Sequence, residues 1–316
     1  SEKIQRSAKK FVSKGKGIFR PIQHSHKEIL VNAESLETRV AVTVKGQLEN
    51  LTIERVDDPR MVGSIYKGKI RNLEDGLKAA FVDIGYEKNA FLHYWDIIPS
   101  PLDSSYDVVD RGKRKKSKPK ITNKDIPKKN PAGTELIVQV TKGPIGTKGP
   151  RVTTNVLLPG RYLVLLPNSE QSGVSRKIEN KEERSRLKKI VRELNIPDGM
   201  GVIIRTAGEN QRKAYFLRDL KILLDTWNEV TDRVQKQSPG SCVFEEPDLI
   251  ERTVRDFLTE DIERVVIDNI SETDRVKDLI GRISKRSIEK VHRYASSEPI
   301  FDRFGITRQL ETAYLR

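Results

Sequence analysis

The stretch VGSIYKGKIRNLEDGLKAAFVDIGYEKNAFL, residues 62–92, decides how the chain is read. It alternates short β-prone runs with turns at Glu74-Asp75-Gly76 and around Gly85, a pattern of antiparallel hairpins. It carries closely spaced lysines, Lys67 and Lys69, and two strand phenylalanines, Phe81 and Phe91. Small β-barrels hold single-stranded nucleic acid with such parts. Cations follow the phosphates, and aromatic faces stack on bases at about 1–3 kcal/mol per base. A strand phenylalanine is more often core, and the run Ala79-Ala80-Phe81-Val82 does not settle which way Phe81 points.

Working outward, the strand pattern resumes at Thr134–Thr141 (TELIVQVT), followed by a Gly/Lys loop from Lys142 to Gly149 that contains Lys148. Residues 61–145 therefore read as a five-stranded OB-type barrel, interrupted before its last strand by an insertion at 108–130. That insertion is rich in Lys, Pro and Asn and reads as a disordered loop flanking the nucleic-acid groove. Upstream, Ile29-Leu30-Val31 is a short apolar run. Val40, Val42 and Val44 alternate up to a Lys45-Gly46 turn, with Leu51 and Ile53 beyond it, which predicts a hairpin.

The net charge of +14 is unevenly placed. Residues 1–20 carry +6 and residues 111–129 carry +9, so the rest of the chain is close to neutral. The excess sits in one basic arm, residues 1–26, expected to be disordered, and in the insertion. Both attract polyanions through counterion release. The single cysteine, Cys242, excludes an internal disulfide framework and a cysteine-based zinc cluster. No apolar run reaches bilayer length and no signal-peptide pattern is present, so the expected location is cytoplasmic.

Beyond residue 150 the pattern turns α/β. Strands are predicted at Leu163–Leu166, Met200–Thr206, Arg264–Asp268 and 289–294. Helices are predicted at Lys181–Leu194, Arg212–Gln235, after Pro247, and at 271–285. Arg205-Thr206 ends one of these strands, where the guanidinium fork and a hydroxyl suit phosphate oxygens. By the residues alone, an exposed loop arginine is the better explanation of that pair. Asp83 and Asp268 are isolated, as are His93 and His292, so no converging carboxylate or histidine set for metal chemistry is visible. The residues by themselves describe a single-strand RNA or DNA binder without a visible catalytic centre.

Seven collinear motifs sharpen this. IYKGKI (65–70), AAFVDIGYEKNAFL (79–92), LPGRYLVLLPN (158–168), GVSRKIE (173–179), MGVIIRTAG (200–208), VVIDN (265–269) and EPIFDRFGI (298–306) together resemble the N-terminal half of the bacterial ribonuclease E/G family. The resemblance runs from about Lys27 to Arg316. It implies an α/β, multidomain fold. An RNase H-like subdomain is split between 27–60 and 240–295, with an S1-type barrel at 61–145 and a 5′-monophosphate sensor at 146–215 inserted in it. A linking helix follows at 216–239.

The resemblance also implies residue roles. Phe81, Phe91 and Lys148 match RNA-contacting positions, beside which Lys67 and Lys69 serve the backbone. Gly160, Val164, Arg205 and Thr206 match the 5′-phosphate pocket, with Arg176 near it. The implied activity is Mg²⁺-dependent endonucleolytic cleavage of single-stranded RNA in RNA processing and decay. A homo-oligomeric parent enzyme and RNA-decay complex partners are implied as well. In the family the Mg²⁺-binding aspartates lie in a DNase I-like subdomain that would begin near 296 here. The chain starts at Ser1 and stops within a helical-looking segment at Arg316, so the expectation is a fragment without catalytic or metal-binding residues. The competing expectation is a non-catalytic S1-domain RNA-binding protein.

Overall fold

The computed structural model describes residues 26–55, 60–98, 102–112, 125–257, 262–283 and 285–314, the side chains of 282–286 and 314 excepted. The basic arm up to residue 25 and insertion residues 113–124 lie outside the described residues. Along the chain, β1 (Lys27–Ala33), β2 (Glu37–Val44) and β3 (Gln47–Arg55) are followed by β4 (Ile65–Glu74), β5 (Ala79–Asp83) and β6 (Ala90–His93). Next come β7 (Tyr106–Val108), the short helix α1 (Ile126–Lys129), β8 (Glu135–Lys142) and β9 (Arg151–Thr153). Then follow β10 (Leu158–Pro159), β11 (Leu163–Leu166), β12 (Gly173–Ser175), α2 (Lys181–Glu193), β13 (Gly201–Ile204) and α3 (Lys213–Lys236). The remainder is β14 (Cys242–Phe244), α4 (Leu249–Phe257), β15 (Ile262–Ile267), α5 (Ile270–Ile283), β16 (Val291–Arg293), α6 (Ile300–Arg303) and α7 (Ile306–Tyr314).

These elements fall into two compact units, one built from both ends of the chain and one from residues 55–257. The first unit holds a sheet of order β16-β15-β1-β2-β3. β1 pairs antiparallel with β2 and parallel with β15, so it is central, and its Ile29–Val31 run is buried. That is why the run is apolar without alternation. Lys45 (φ 51°) and Gly46 (φ 76°) both take left-handed backbone, the geometry of a two-residue hairpin turn. Leu30, Ala41 and Val266 pack with Ile300, Phe301 and Ile306 to form its core. Where β15 ends, Asp268 accepts from the Asn32 amide (2.6 Å) and from the Ala33 N–H (2.9 Å), fastening it to β1.

The second unit contains a closed barrel. β4, β5 and β6 form an antiparallel meander, β6 pairs parallel with β9, β9 pairs with β8, and β8 closes on β4. Five strands in this order are consistent with an OB-fold-like domain. Its interior is filled by Ile70, Ala80, Val82, Ala90, Leu92, Tyr94, Val138, Val140 and Val152. Ala80 and Val82 point inward, so strand alternation turns Phe81 outward.

Several boundaries differ from the sequence reading. The barrel does not end at 145: β9 is its last strand, and the insertion therefore separates the third and fourth strands. The 108–130 insertion is not loop at its edges: Val108 ends one strand and Ile126–Lys129 form a helix. Residues Tyr106–Val108 form β7, which leaves the barrel and pairs with β12 in a separate sheet of order β10-β11-β13-β12-β7. The chain returns through α1, whose Ile126 is buried in the barrel core. At the other end, Cys242–Phe244 adds β14 to the edge of β4, and α4 also belongs to this unit rather than to the terminal one. Three-residue strands such as these carry too little periodicity to be seen in sequence.

The separate sheet is backed on one face by α2 and α3. Leu163, Leu165, Val202 and Ile204 meet Leu187, Ile190 and Val191 of α2 and Phe216, Leu220, Leu223 and Trp227 of α3 in one apolar cluster. Asn180 caps α2, its side chain accepting from the Glu182 and Glu183 N–H groups.

Gly85 shows how closely the barrel is strapped. It has φ 76°, its N–H donates to Asp83 Oδ1 (2.8 Å), and a Cβ there would overlap the Gly240 carbonyl. Gly240 in turn donates to the Lys67 carbonyl (2.6 Å). Gly85→Ala is therefore expected to destabilise the protein by about 2–3 kcal/mol, combining left-handed strain with a backbone clash. Urea unfolding checks this; a change under about 0.5 kcal/mol would contradict it.

Candidate nucleic-acid interface

The outer face of β5 and β6 carries a row of rings. Phe81 and Phe91 are directly opposed across the strands, with centroids 5.8 Å apart in an edge-to-face arrangement. Phe91 meets His93 edge to face at 4.5 Å, and His93 stacks on Trp95 at 4.0 Å and 17°. Phe91 also pairs in register with Arg151 of β9, so one row across three strands reads Phe81, Phe91, Arg151. Arg151 is held by Asp96 at 3.0 Å. Burial, reinforced by the Arg151 charge, holds the His93 imidazole below its ordinary pKa, which favours the neutral ring.

Of the predicted cations, Lys148 is exposed in the β8–β9 loop, beside Lys88, which donates to the Gly146 carbonyl at 2.8 Å. That loop lies at the end of β6 where the Phe91 N–H meets the Pro150 carbonyl (2.7 Å). In OB folds the second and third strands and this loop form the binding face. Lys69 is partly exposed on β4 opposite Asp83. Lys67 is turned toward the protein: its ammonium reaches Glu135 (3.1 Å) and the Gln237 carbonyl (3.1 Å), and its side chain is only 15% exposed.

The second sheet gathers the other group of predicted residues at one end. β12 and β13 run parallel with Gly173 beside Ile203 and Val174 beside Ile204, so their carboxyl ends deliver Arg176 and Arg205-Thr206 together. β11 runs antiparallel to β13, bringing Gly160 to the same end, while Val164 pairs with Ile203 on the face turned away from the α2–α3 core. Arg205 Nη1 donates to the Gly160 carbonyl (2.5 Å) and to Asp256 of α4 (2.7 Å). Arg176 and Thr206 are exposed.

Two residues that the sequence did not single out shape this end. Asp219 interrupts the apolar stripe of α3 between Phe216 and Leu220, which is the only trace of it in the sequence. It is buried and accepts from three successive N–H groups, Arg161 (3.2 Å), Tyr162 (2.8 Å) and Leu163 (2.8 Å). Burial raises its pKa, against the opposing pull of those donors. A Cβ on Gly160 would meet its carboxylate at 2.7–2.9 Å, which is why glycine stands there. Asp107, brought in by β7, receives Lys188 at 2.7 Å, and that hydrogen bond holds its carboxyl below the usual range.

A family model described as the ribonuclease E/G family matches residues 157–316. The chain belongs to the ribonuclease E/G family. It is 37% identical over 286 residues to ribonuclease G of Haemophilus influenzae, covering 90% of this chain and 56% of that protein. Ribonuclease G of Escherichia coli strain K12 gives 37% over 289 residues, with 92% and 57% covered. Ribonuclease E of Haemophilus influenzae gives 37% over 292 residues, covering 92% of this chain and 30% of that protein. The chain thus spans little more than half the length of the ribonuclease G relatives.

Asp219→Asn replaces one acceptor oxygen by an amide that donates, set against backbone N–H groups. The expected cost is about 2–3 kcal/mol, the usual penalty for a buried unpaired polar group. Gly160→Ala pushes on the same carboxylate and should destabilise in the same direction. Chemical denaturation of both variants checks this, and wild-type stability in Asp219→Asn would contradict the assignment.

Proposed function

We propose that this chain is the RNA-holding and 5′-end-sensing part of an endoribonuclease that acts on single-stranded RNA in RNA processing and decay. The observation that carries the reading is the pairing of two dissimilar sites in one compact unit. One is an outward row of aromatic rings flanked by Lys148 and Arg151. The other is a strand-end arginine whose guanidinium is fixed by Gly160 and Asp256. Aromatic rings bind bases with little regard to sequence. A pre-oriented arginine fork beside an exposed threonine suits a terminal phosphate. The strand order of the terminal unit, three antiparallel strands followed by two parallel ones, supports the RNase H-like reading of that part.

In this reading Phe81 and Phe91 support bases, while Lys148 and Lys69 serve the backbone. The Arg205 side chain donates to Gly160 and Asp256 through Nη1, and in this reading the rest of its guanidinium meets a phosphate held with Thr206. Gly160 and Val164 line the approach, and Arg176 adds charge.

Among the described residues, the Mg²⁺ that the family implies finds no fitting set of ligands. No group of three or more His, Cys, Asp or Glu side chains among the described residues is placed to hold a metal ion. In this reading the chain captures and orients the substrate. No helix of the described residues is long and apolar enough to cross a membrane.

The purified chain is expected to bind 5′-monophosphorylated single-stranded RNA more tightly than the same RNA with a 5′-hydroxyl. Arg205→Ala should erase that difference, a loss of about 10- to 100-fold for one charge-assisted contact. Phe81→Ala and Phe91→Ala should weaken both RNAs alike. Fluorescence-anisotropy titrations distinguish these, and equal affinities for both ends in wild type and Arg205→Ala would overturn the sensor assignment. The chain alone is expected to leave the RNA uncut in Mg²⁺.

A further inference from the structure

The ring row does not stop where the two phenylalanines do. Phe91, His93 and Trp95 follow one another at every second residue, and they run from the β8–β9 loop toward the β4–β5 turn. Tyr94 anchors this end: its N–H donates to the Lys78 carbonyl (2.9 Å) and its hydroxyl to Asp75 (2.9 Å). The short 3₁₀ turn Tyr94–Asp96 then continues from β6 and places Trp95 directly over His93. Tyr94 itself is fully buried in the barrel, so the turn that carries Trp95 is fixed from beneath.

Trp95 is 49% exposed, although its ring is packed parallel to the imidazole on one side. Its other side is therefore the large open surface. An indole left half in water, on a fixed turn and continuous with the ring row, offers a flat apolar face with a polar edge on which another ring can stack. Cations border it as they border the phenylalanines. Arg151 is held by Asp96 of the same turn, and Lys78, exposed in the β4–β5 turn, is tied to that turn through its carbonyl, which accepts the Tyr94 N–H. Packing within the barrel does not require Trp95, because the core beneath is closed by Tyr94, Leu92 and Ala80.

We infer that the base-stacking track continues past Phe91 across His93, and that the open face of Trp95 takes a further nucleobase of single-stranded RNA. This rests on the reading of the β5–β6 face as an RNA-holding surface and extends its footprint toward the β4–β5 turn. His93 acts as the spacer, its edge against Phe91 and its face against Trp95.

The chain provides its own reporter. It has two tryptophans, and the other, Trp227, is buried at 6% exposure in the α2–α3 cluster. In a Trp227→Phe background, indole fluorescence reports Trp95 alone. Titration with oligoadenylates of increasing length should give no quenching with the shortest strands that bind. Quenching should be marked once the strand is long enough to reach Trp95. Trp95→Ala should lower affinity about tenfold for the longer strands, equivalent to ~1.4 kcal/mol, and leave the shorter ones unchanged. Trp95→Phe should retain most of the affinity, and matching circular dichroism of the variants verifies that the barrel is intact. Unquenched fluorescence with long strands bound, or equal affinities for Trp95→Ala and wild type, would overturn the inference. If Phe81→Ala and Phe91→Ala still weaken binding, the RNA-holding reading survives that result. If neither phenylalanine matters for RNA of any length, both readings fall together.

Discussion

The barrel depends on one ten-residue strand serving three partners. The first half of β4 is flanked by β8 on one side and β14 on the other, and its second half is flanked by β5. A flat strand cannot do this. The register shift between Ile70 and Asn72 bends β4, and Gly68 sits where a side chain would strike Val82. Such irregularities are how a sheet coils enough to close. Closure removes the free edges, and it also fixes the outer faces of β5 and β6. The aromatic row therefore rests on a surface that has nowhere to slip.

The phosphate-binding candidate is built by a different economy. Its backbone turn at Gly160–Leu163 is held from behind by the Asp219 carboxylate and from the front by the Arg205 guanidinium. A buried carboxylate with three N–H donors and an arginine on the adjoining carbonyl together define a rigid dipolar loop. Asp256 continues the chain of charges to Arg255, which reaches the buried Glu246 at 3.1 Å. Glu246 packs against Gly63, and its N–H donates to Ser64 (2.9 Å) just ahead of β4. Polar contacts thus run from the candidate phosphate site to the first strand of the barrel within one compact unit.

Much of this was legible in the residues. The Lys45-Gly46 turn, the apolar stripes of α2 and α3, and the strand Leu163–Leu166 were all written in local periodicity and turn chemistry. The direction of Phe81 was not, because Ala79 and Ala80 are both small enough for either face; only closure of the barrel decided it. β7, β9 and β14 were invisible because each is three residues long and is stabilised by partners distant in sequence. Asp219 left one trace, a charge where an apolar residue belonged. The every-second-residue spacing of Phe91, His93 and Trp95 was present in the sequence but became meaningful only once β6 was seen to face outward. The assignment of Arg205-Thr206 needed motifs spread along the chain, since a strand-end arginine alone has no distinctive local chemistry.

The detour between the third and fourth barrel strands has a consequence for how this unit folds. After β6 the chain contributes β7 to the neighbouring sheet before α1 seats Ile126 back in the barrel. The β8 strand that closes the barrel therefore reaches its place only by way of the other sheet. Neither body is a self-contained stretch of chain, so each is a poor candidate for independent unfolding. The two share the fate of one cooperative element, with a high contact order and correspondingly slow assembly. A loop that looks like an ornament on the barrel is, in topological terms, the stitch that makes two layers a single garment.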